Sequence, residues 1–178
     1  PLDIPLTSWT KTFSSGTLTD FTMRFIQLFE LPRDAEDFEQ VAAEVFEDLA
    51  SDGIRYAEPR ITLTSHLSRG VPFHSLRDGL ESARKYASNQ LNLEIGWIVD
   101  FPRILGESVG RRALAEAIQG KAWGVVGFDI AGDEIATPDD DWLARLFHDA
   151  RVAGLGTTAH AGETGPSENI WTAVREWN

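Results

Sequence analysis

Cysteine is absent from this chain of 178 residues, which excludes disulfides and thiolate metal sites. Histidine is scarce: only His66, His74, His148 and His160 occur, four in all. No two of them form a His-x-His pair, so a catalytic zinc that needs three protein ligands is hard to assemble here. Basic residues are few, 16 Lys and Arg against 28 Asp and Glu, for a net charge of -12. That balance opposes the phosphate neutralisation that nucleic-acid binding requires and disfavours an anionic membrane surface. A neutral small molecule or another protein is the better partner. No apolar run reaches the ~18 residues of a membrane span. The opening Pro1-Leu2-Asp3-Ile4 has neither the basic region nor the apolar segment of a signal peptide, and the expected compartment is the cytoplasm. Neither G-x-G-x-x-G nor a P-loop pattern is present. Solenoid repeats, low-complexity tracts and linkers are absent too.

The chain has the length of one ordinary domain, with enough aliphatic and aromatic residues for a core. Leu18, Phe21, Phe25, Leu28 and Phe29 recur at helical spacing until Pro32. Asp34 caps a helix whose Phe38, Val41, Ala42, Val45, Phe46 and Leu49 form one stripe, ended by Gly53. Ile54 to Leu63 reads as a strand, with Pro59 marking a bulge or its end. Leu76, Leu80, Ala83 and Ala87 mark the next helix, followed by a strand from Leu91 to Val99. Val109, Leu114, Ala117 and Ile118 mark another, followed by a strand from Gly124 to Ile130. Leu143, Leu146, Phe147 and Ala150 face inward from a helix that leads through Gly154 to a strand ending at His160. Pro166 suits the first turn of a last helix carrying Ile170, Val174 and Trp177.

Helix and strand therefore alternate about every 30 to 35 residues, as in a parallel sheet built by right-handed crossovers. Polar clusters follow all four strands: Glu58-Pro59-Arg60, Asp100, Asp129 to Glu134, and His160 to Glu163. Such placement points to a TIM (β/α)8 barrel, because an open doubly wound sheet gathers its ligand groups at one switch point. The expected organisation is a single partial barrel domain over residues 1–178. Residues 1–17 form a loop, 18–52 a helical segment, and 53–178 alternating strands and helices.

The stretch Thr157-Thr158-Ala159-His160-Ala161-Gly162-Glu163 delivers a histidine at a strand end and a glutamate three residues later. A neutral imidazole can hold a metal ion while a neighbouring carboxylate handles the proton of a bound water. On composition alone, a locally bonded histidine and a helix-capping glutamate are the plainer account of the pair. In Asp129-Ile130-Ala131-Gly132-Asp133-Glu134, Gly132 could let backbone approach a flat ligand, and Asp129 could hold the second nitrogen of a metal-bound imidazole. A tight sheet-to-helix turn is the plainer account of that segment. Tyr56, Glu58 and Arg60 alternate along a strand and share a face, most simply as a buried ion pair inside a barrel. His66 and His74 flank Gly70 in what reads as a surface loop, and His148 reads as a partly exposed helix residue. Phe21, Phe25 and Phe29 read as core, or as an apolar wall over a barrel mouth.

Taken together, Tyr56-Ala57-Glu58-Pro59-Arg60, Gly127-Phe128-Asp129-Ile130-Ala131-Gly132-Asp133-Glu134 and Thr158-Ala159-His160-Ala161-Gly162-Glu163 resemble the adenosine and adenine deaminase family in wording, order and spacing. The resemblance implies a (β/α)8 barrel with one catalytic zinc that hydrolyses the exocyclic amine of an adenine ring to the hypoxanthine product and ammonia. By position it makes His160 a zinc ligand, Glu163 the residue that protonates the purine ring nitrogen, Gly132 a backbone contact to the purine, and Asp129 a support behind His160. Glu163 must carry a proton for this, which a desolvated apolar site would favour. The family's first-strand His-x-His, its later histidine and its Asp-Asp pair have no counterpart here. The expectation is therefore strands two to five of the barrel, with one of about four zinc ligands and no competence alone. Adenosine, adenine and modified adenine nucleosides remain open as substrates. Two rivals stand beside this reading. One is a noncatalytic half-barrel that self-associates through two open sheet edges; the other is an amidohydrolase-type metal enzyme acting on a different ring or amide.

Overall fold

The computed structural model describes Phe21, residues 25–135 and residues 141–177. The expected loop over 1–17 and the start of the first helix at Leu18 lie outside the described residues. Helix α1, Ala35–Ser51, begins where expected because the Asp34 side chain accepts from Asp37 N at 3.1 Å, satisfying one of the orphan amides of a helix start. Its buried stripe is Phe38, Ala42 and Phe46. The expected stripe was too broad: Val41 and Val45 are 53% and 48% exposed, because burial follows a single i, i+4, i+8 row facing one neighbouring helix.

The chain then lays down its strands in order. Short β1, Tyr56–Ala57, and β2, Arg60–Ile61, are separated at Pro59, which has no amide to donate and instead accepts from Ile98 N at 3.0 Å. Helix α2, Leu63–Ser68, follows, then α3, Phe73–Leu91. Next come β3, Glu94–Ile95, β4, Trp97–Pro102, and α4, Gly106–Gly120. The last units are β5, Val125–Ala131, α5, Asp141–Val152, β6, Gly156–Thr157, and α6, Glu168–Thr172. Every pairing among the described residues is parallel: β1 with β3, and β2, β4, β5 and β6 side by side in chain order. Parallel strands paired in unbroken chain order fit an arc of a barrel, in which each strand pairs with the next.

Helices cover one face of that arc. Val99 aligns with Phe128 and Phe101 with Ile130, Phe101 stacks on Phe128 at 5.6 Å, and Phe128 meets Phe147 of α5 at 5.7 Å. Leu143, Leu146, Phe147 and Ala150 are buried as the periodicity predicts. Gly79 on α3 permits a close crossing with α1, for a Cβ there would stand 2.3 Å from Ala35 O and 2.8 Å from Phe38 Cβ. The opposite face carries a row of aligned residues, Arg60, Ile98, Gly127 and Gly156. Above it Asp100 aligns with Asp129.

Other expectations are corrected too. The last strand's ladder is limited to Gly156–Thr157, although Thr158 N and His160 N go on donating to Phe128 O and Ile130 O at 3.1 and 3.0 Å. In the final helical segment only Trp177 is buried, stacked on Phe147 at 5.5 Å. Ile170 and Val174 are exposed and border a cavity of about 200 Å³ on the helix side of β6. His66 is not a surface loop residue. It is 3% exposed within α2, edge-to-face with Phe29 at 5.1 Å and Phe38 at 5.0 Å, and its Nδ1 lies 2.9 Å from Arg69 Nη2. No helix among the described residues is long and apolar enough to cross a membrane.

Burial, reinforced by the Arg69 charge, pushes His66 down to about 4 from 6.5. The folded protein then binds fewer protons than the unfolded chain between those values, so its stability falls as pH drops through that window, by on the order of 3 kcal/mol. His66→Phe keeps the ring contacts and removes the titration, so chemical unfolding at pH 7 and pH 4.5 should show a smaller loss for the variant. Equal losses in both proteins would contradict a neutral, buried His66.

Candidate active site

The parallel pairing of β5 with β6 sets the Asp129–Glu134 segment against the His160–Gly165 segment at the carboxyl ends of both strands. Asp129 is fully buried, and a carboxylate in that position needs partners to repay its lost hydration. It has three: Ile130 N donates to it at 2.8 Å, Arg60 Nε is bonded to it, and His160 Nδ1 lies 3.1 Å away. Desolvation works to raise the carboxyl, but the bonds from His160 and Arg60 outweigh it and hold Asp129 below its ordinary value. In turn the Asp129 hydrogen bond raises His160 above 6.5 against the effect of burial.

His160 Nδ1 also lies 3.1 Å from Ile130 O. With two acceptors before it, Nδ1 carries the proton, and Nε2 is left with the lone pair. The backbone of the same residue is pinned on both sides. His160 N donates to Ile130 O at 3.0 Å, while the buried Arg103 at the end of β4 donates from Nη2 to His160 O at 2.6 Å.

The ion pair expected among Tyr56, Glu58 and Arg60 is repartnered. Glu58 is exposed and accepts from Tyr56 OH, whereas Arg60 reaches Asp129 across β4. Asp100, on the same barrel-facing row as Asp129, is buried, and desolvation raises its carboxyl despite a hydrogen bond with Thr62. Gly132 has φ +103°, a conformation that favours glycine, and a Cβ there would meet only Arg103 atoms, at 3.6 Å and beyond. Glu163 is exposed. The desolvated surroundings expected for it are not supplied by the described residues.

Glu134 was not singled out from the sequence, yet its buried carboxylate accepts from the amides of Gly162, Glu163, Thr164 and Gly165 and from Asn169 Nδ2. Arg103 was missed as well. Both act across more than 25 positions of chain, and only Glu134 lay inside a motif that drew attention. Among the described residues, no group of three or more His, Cys, Asp or Glu is arranged to hold a metal ion.

The family model described as adenosine deaminase matches residues 5–178. An aminodeoxyfutalosine deaminase of Streptomyces avermitilis is 33% identical over 168 residues, 90% of this chain and 46% of that protein. An adenine deaminase of Pseudomonas fluorescens is 30% identical over 165 residues, 92% of this chain and 51% of that protein. The chain thus spans about half the length of the curated relatives it matches. Among solved structures, adenine deaminase from Arthrobacter aurescens superposes with a TM-score of 0.88 at 23% identity, over 96% of this chain and 52% of that one. A Burkhoderia ambifaria amidohydrolase with bound Zn gives 0.82 at 24% identity, over 97% of this chain and 48% of that one. These likenesses show the fold: the chain is part of a TIM barrel.

The Asp129 contact makes one direct prediction. In chelator-treated protein, Asp129→Asn should lower the pKa of His160, followed by NMR titration of its ring protons. An unchanged value would mean that the carboxylate does not bear on the imidazole.

Proposed function

Because the chain belongs to the adenosine deaminase family, we propose that its protein hydrolyses the exocyclic amine of an adenine ring to a hypoxanthine-type product and ammonia. The observation that carries this reading is the Asp129–His160 pair: a histidine held through Nδ1, with the Nε2 lone pair left to bind a metal ion, beside the loop that bears Glu163. Relatives named for deaminating free adenine and for deaminating aminodeoxyfutalosine support a purine-like substrate class.

Water attack on the amine-bearing carbon of an adenine ring disrupts its aromaticity. A proton delivered to the adjacent ring nitrogen relieves the charge that builds there and lowers the barrier. In this proposal Glu163 delivers that proton, its exposed side chain being covered by the bound purine. The backbone at Gly132 lies against the purine, since no side chain there keeps the ring away. Asp129 keeps the His160 ring oriented and Arg103 keeps its backbone in place. Zinc belongs to the reading as the group that lowers the pKa of a water. The described residues offer it a single nitrogen, His160 Nε2, and no set of three ligands, so by themselves they do not form its site.

The test is zinc content by elemental analysis together with the ultraviolet change on incubation with adenine, adenosine and aminodeoxyfutalosine, using the whole protein and the present chain side by side. Deamination of one of these by the whole protein is expected, and inactivity on all three would overturn the reading. Glu163→Gln should keep the zinc content and lower kcat by about 10²- to 10⁴-fold, the usual span for a lost general acid. Retained turnover would remove Glu163 from the proton-transfer role.

A further inference from the structure

The loop that carries Glu163 closes around an anion belonging to the chain itself. Glu134 Oε1 accepts from Gly162 N at 2.8 Å and from Asn169 Nδ2 at 2.9 Å. Its Oε2 accepts from Glu163 N at 2.8 Å, Thr164 N at 3.0 Å and Gly165 N at 3.1 Å. Four successive amides turned inward on one carboxylate form a backbone nest, a shape otherwise used for phosphate or other anions. The clasp is reciprocal, for Glu134 N donates to Thr164 Oγ1 at 3.1 Å and that hydroxyl donates to Asp133 Oδ1 at 3.1 Å.

Two glycines make the wrap sterically feasible. Gly162 has φ +72°, and a Cβ there would stand 2.6 Å from Ile170 Cγ1. At Gly165 a Cβ would stand 2.3 Å from Asn169 Nδ2 and 3.1 Å from Glu134 Cβ. The carboxylate is 4% exposed, so water does not compete for its donors.

We propose that Glu134 is the positioning residue for Glu163: its negative charge, more than its bulk, organises the 162–165 backbone and sets where the Glu163 side chain starts. The role in turnover rests on the purine reading above; the anion-centred loop does not. The backbone of Glu163 is fixed through its amide while its side chain stays exposed, a combination that fixes the root of a proton carrier and leaves its tip free to meet a ligand. The acidity of Glu134 agrees with this arrangement. Desolvation opposes ionisation, yet the Asn169 bond and the loop amides overcome it and bring the group to about 2.

A variant pair separates charge from bulk. Glu134→Gln is nearly isosteric but turns an amide NH₂ toward N–H donors, and Glu134→Ala leaves a hollow lined by those donors. Amide hydrogen exchange should show slow exchange at Gly162 to Gly165 in the unmodified chain and roughly 10- to 100-fold faster exchange in Glu134→Gln, with Phe128 on β5 unchanged as the folding control. Formate should restore protection in Glu134→Ala, and neutral formamide should not. If Glu134→Ala fails to fold, Glu134→Gln alone decides the exchange test. Unaltered exchange in Glu134→Gln, or equal rescue by formamide, overturns the proposal. In the whole protein kcat should fall at least about tenfold with a smaller change in KM, the mark of a reacting group displaced more than of binding lost. Unchanged kcat with a loosened loop also overturns the positioning role. Absence of turnover in the unmodified whole protein counts against the purine reading instead, and the exchange and formate results then decide on Glu134.

Discussion

A single buried carboxylate, Asp129, ties together parts of the chain that the sheet alone would only place near one another. It takes Arg60 from β2, the imidazole of His160 from beyond β6 and a backbone amide of its own strand. Left unpaired, an ionised group at that depth would cost several kcal/mol. The strands around it are therefore held to one relative placement, and the orientation of His160 follows from that placement. His160 and Arg60 together keep Asp129 ionised where burial would otherwise favour the neutral acid.

Much of this was legible in the sequence, for reasons that are local. Asp34 declares a helix start through its own side chain, and Leu143, Leu146, Phe147 and Ala150 declare a buried face through spacing alone. The alternation of strand and helix, with polar groups at each strand's end, was enough for the barrel architecture. His160, Glu163, Gly132 and Asp129 drew notice because they sit within short motifs on adjoining strand ends, and of these the structure sets Asp129 against His160.

What escaped were features whose distant partner no short motif supplied. His66 looked exposed beside Gly70 because its aromatic neighbours, Phe29 and Phe38, come from the preceding helical segment. Arg60 looked like the partner of Glu58, two residues away, although strand pairing aims it past β4 to Asp129. Glu134 and Arg103 bond to backbone amides and a carbonyl, which carry no sequence signature at all. Periodicity also overstated the core at Val41 and Ile170, since it reports which residues share a helix face and not whether another element lies against that face.

The row Arg60, Ile98, Gly127 and Gly156 runs beneath the polar groups and thins from one side to the other. Under β2 and β4 the floor is built of side chains; under β5 and β6 it is bare peptide. At Gly127 a Cβ would stand 3.0 Å from Ile98 Cγ1, so that side chain would have to give way by a few tenths of an ångström. The row is therefore lopsided, bare of side chains on the strands that lead to Asp129 and His160. Side chains stand on one flank of that row and amide planes on the other, so its two flanks differ in kind as well as in height.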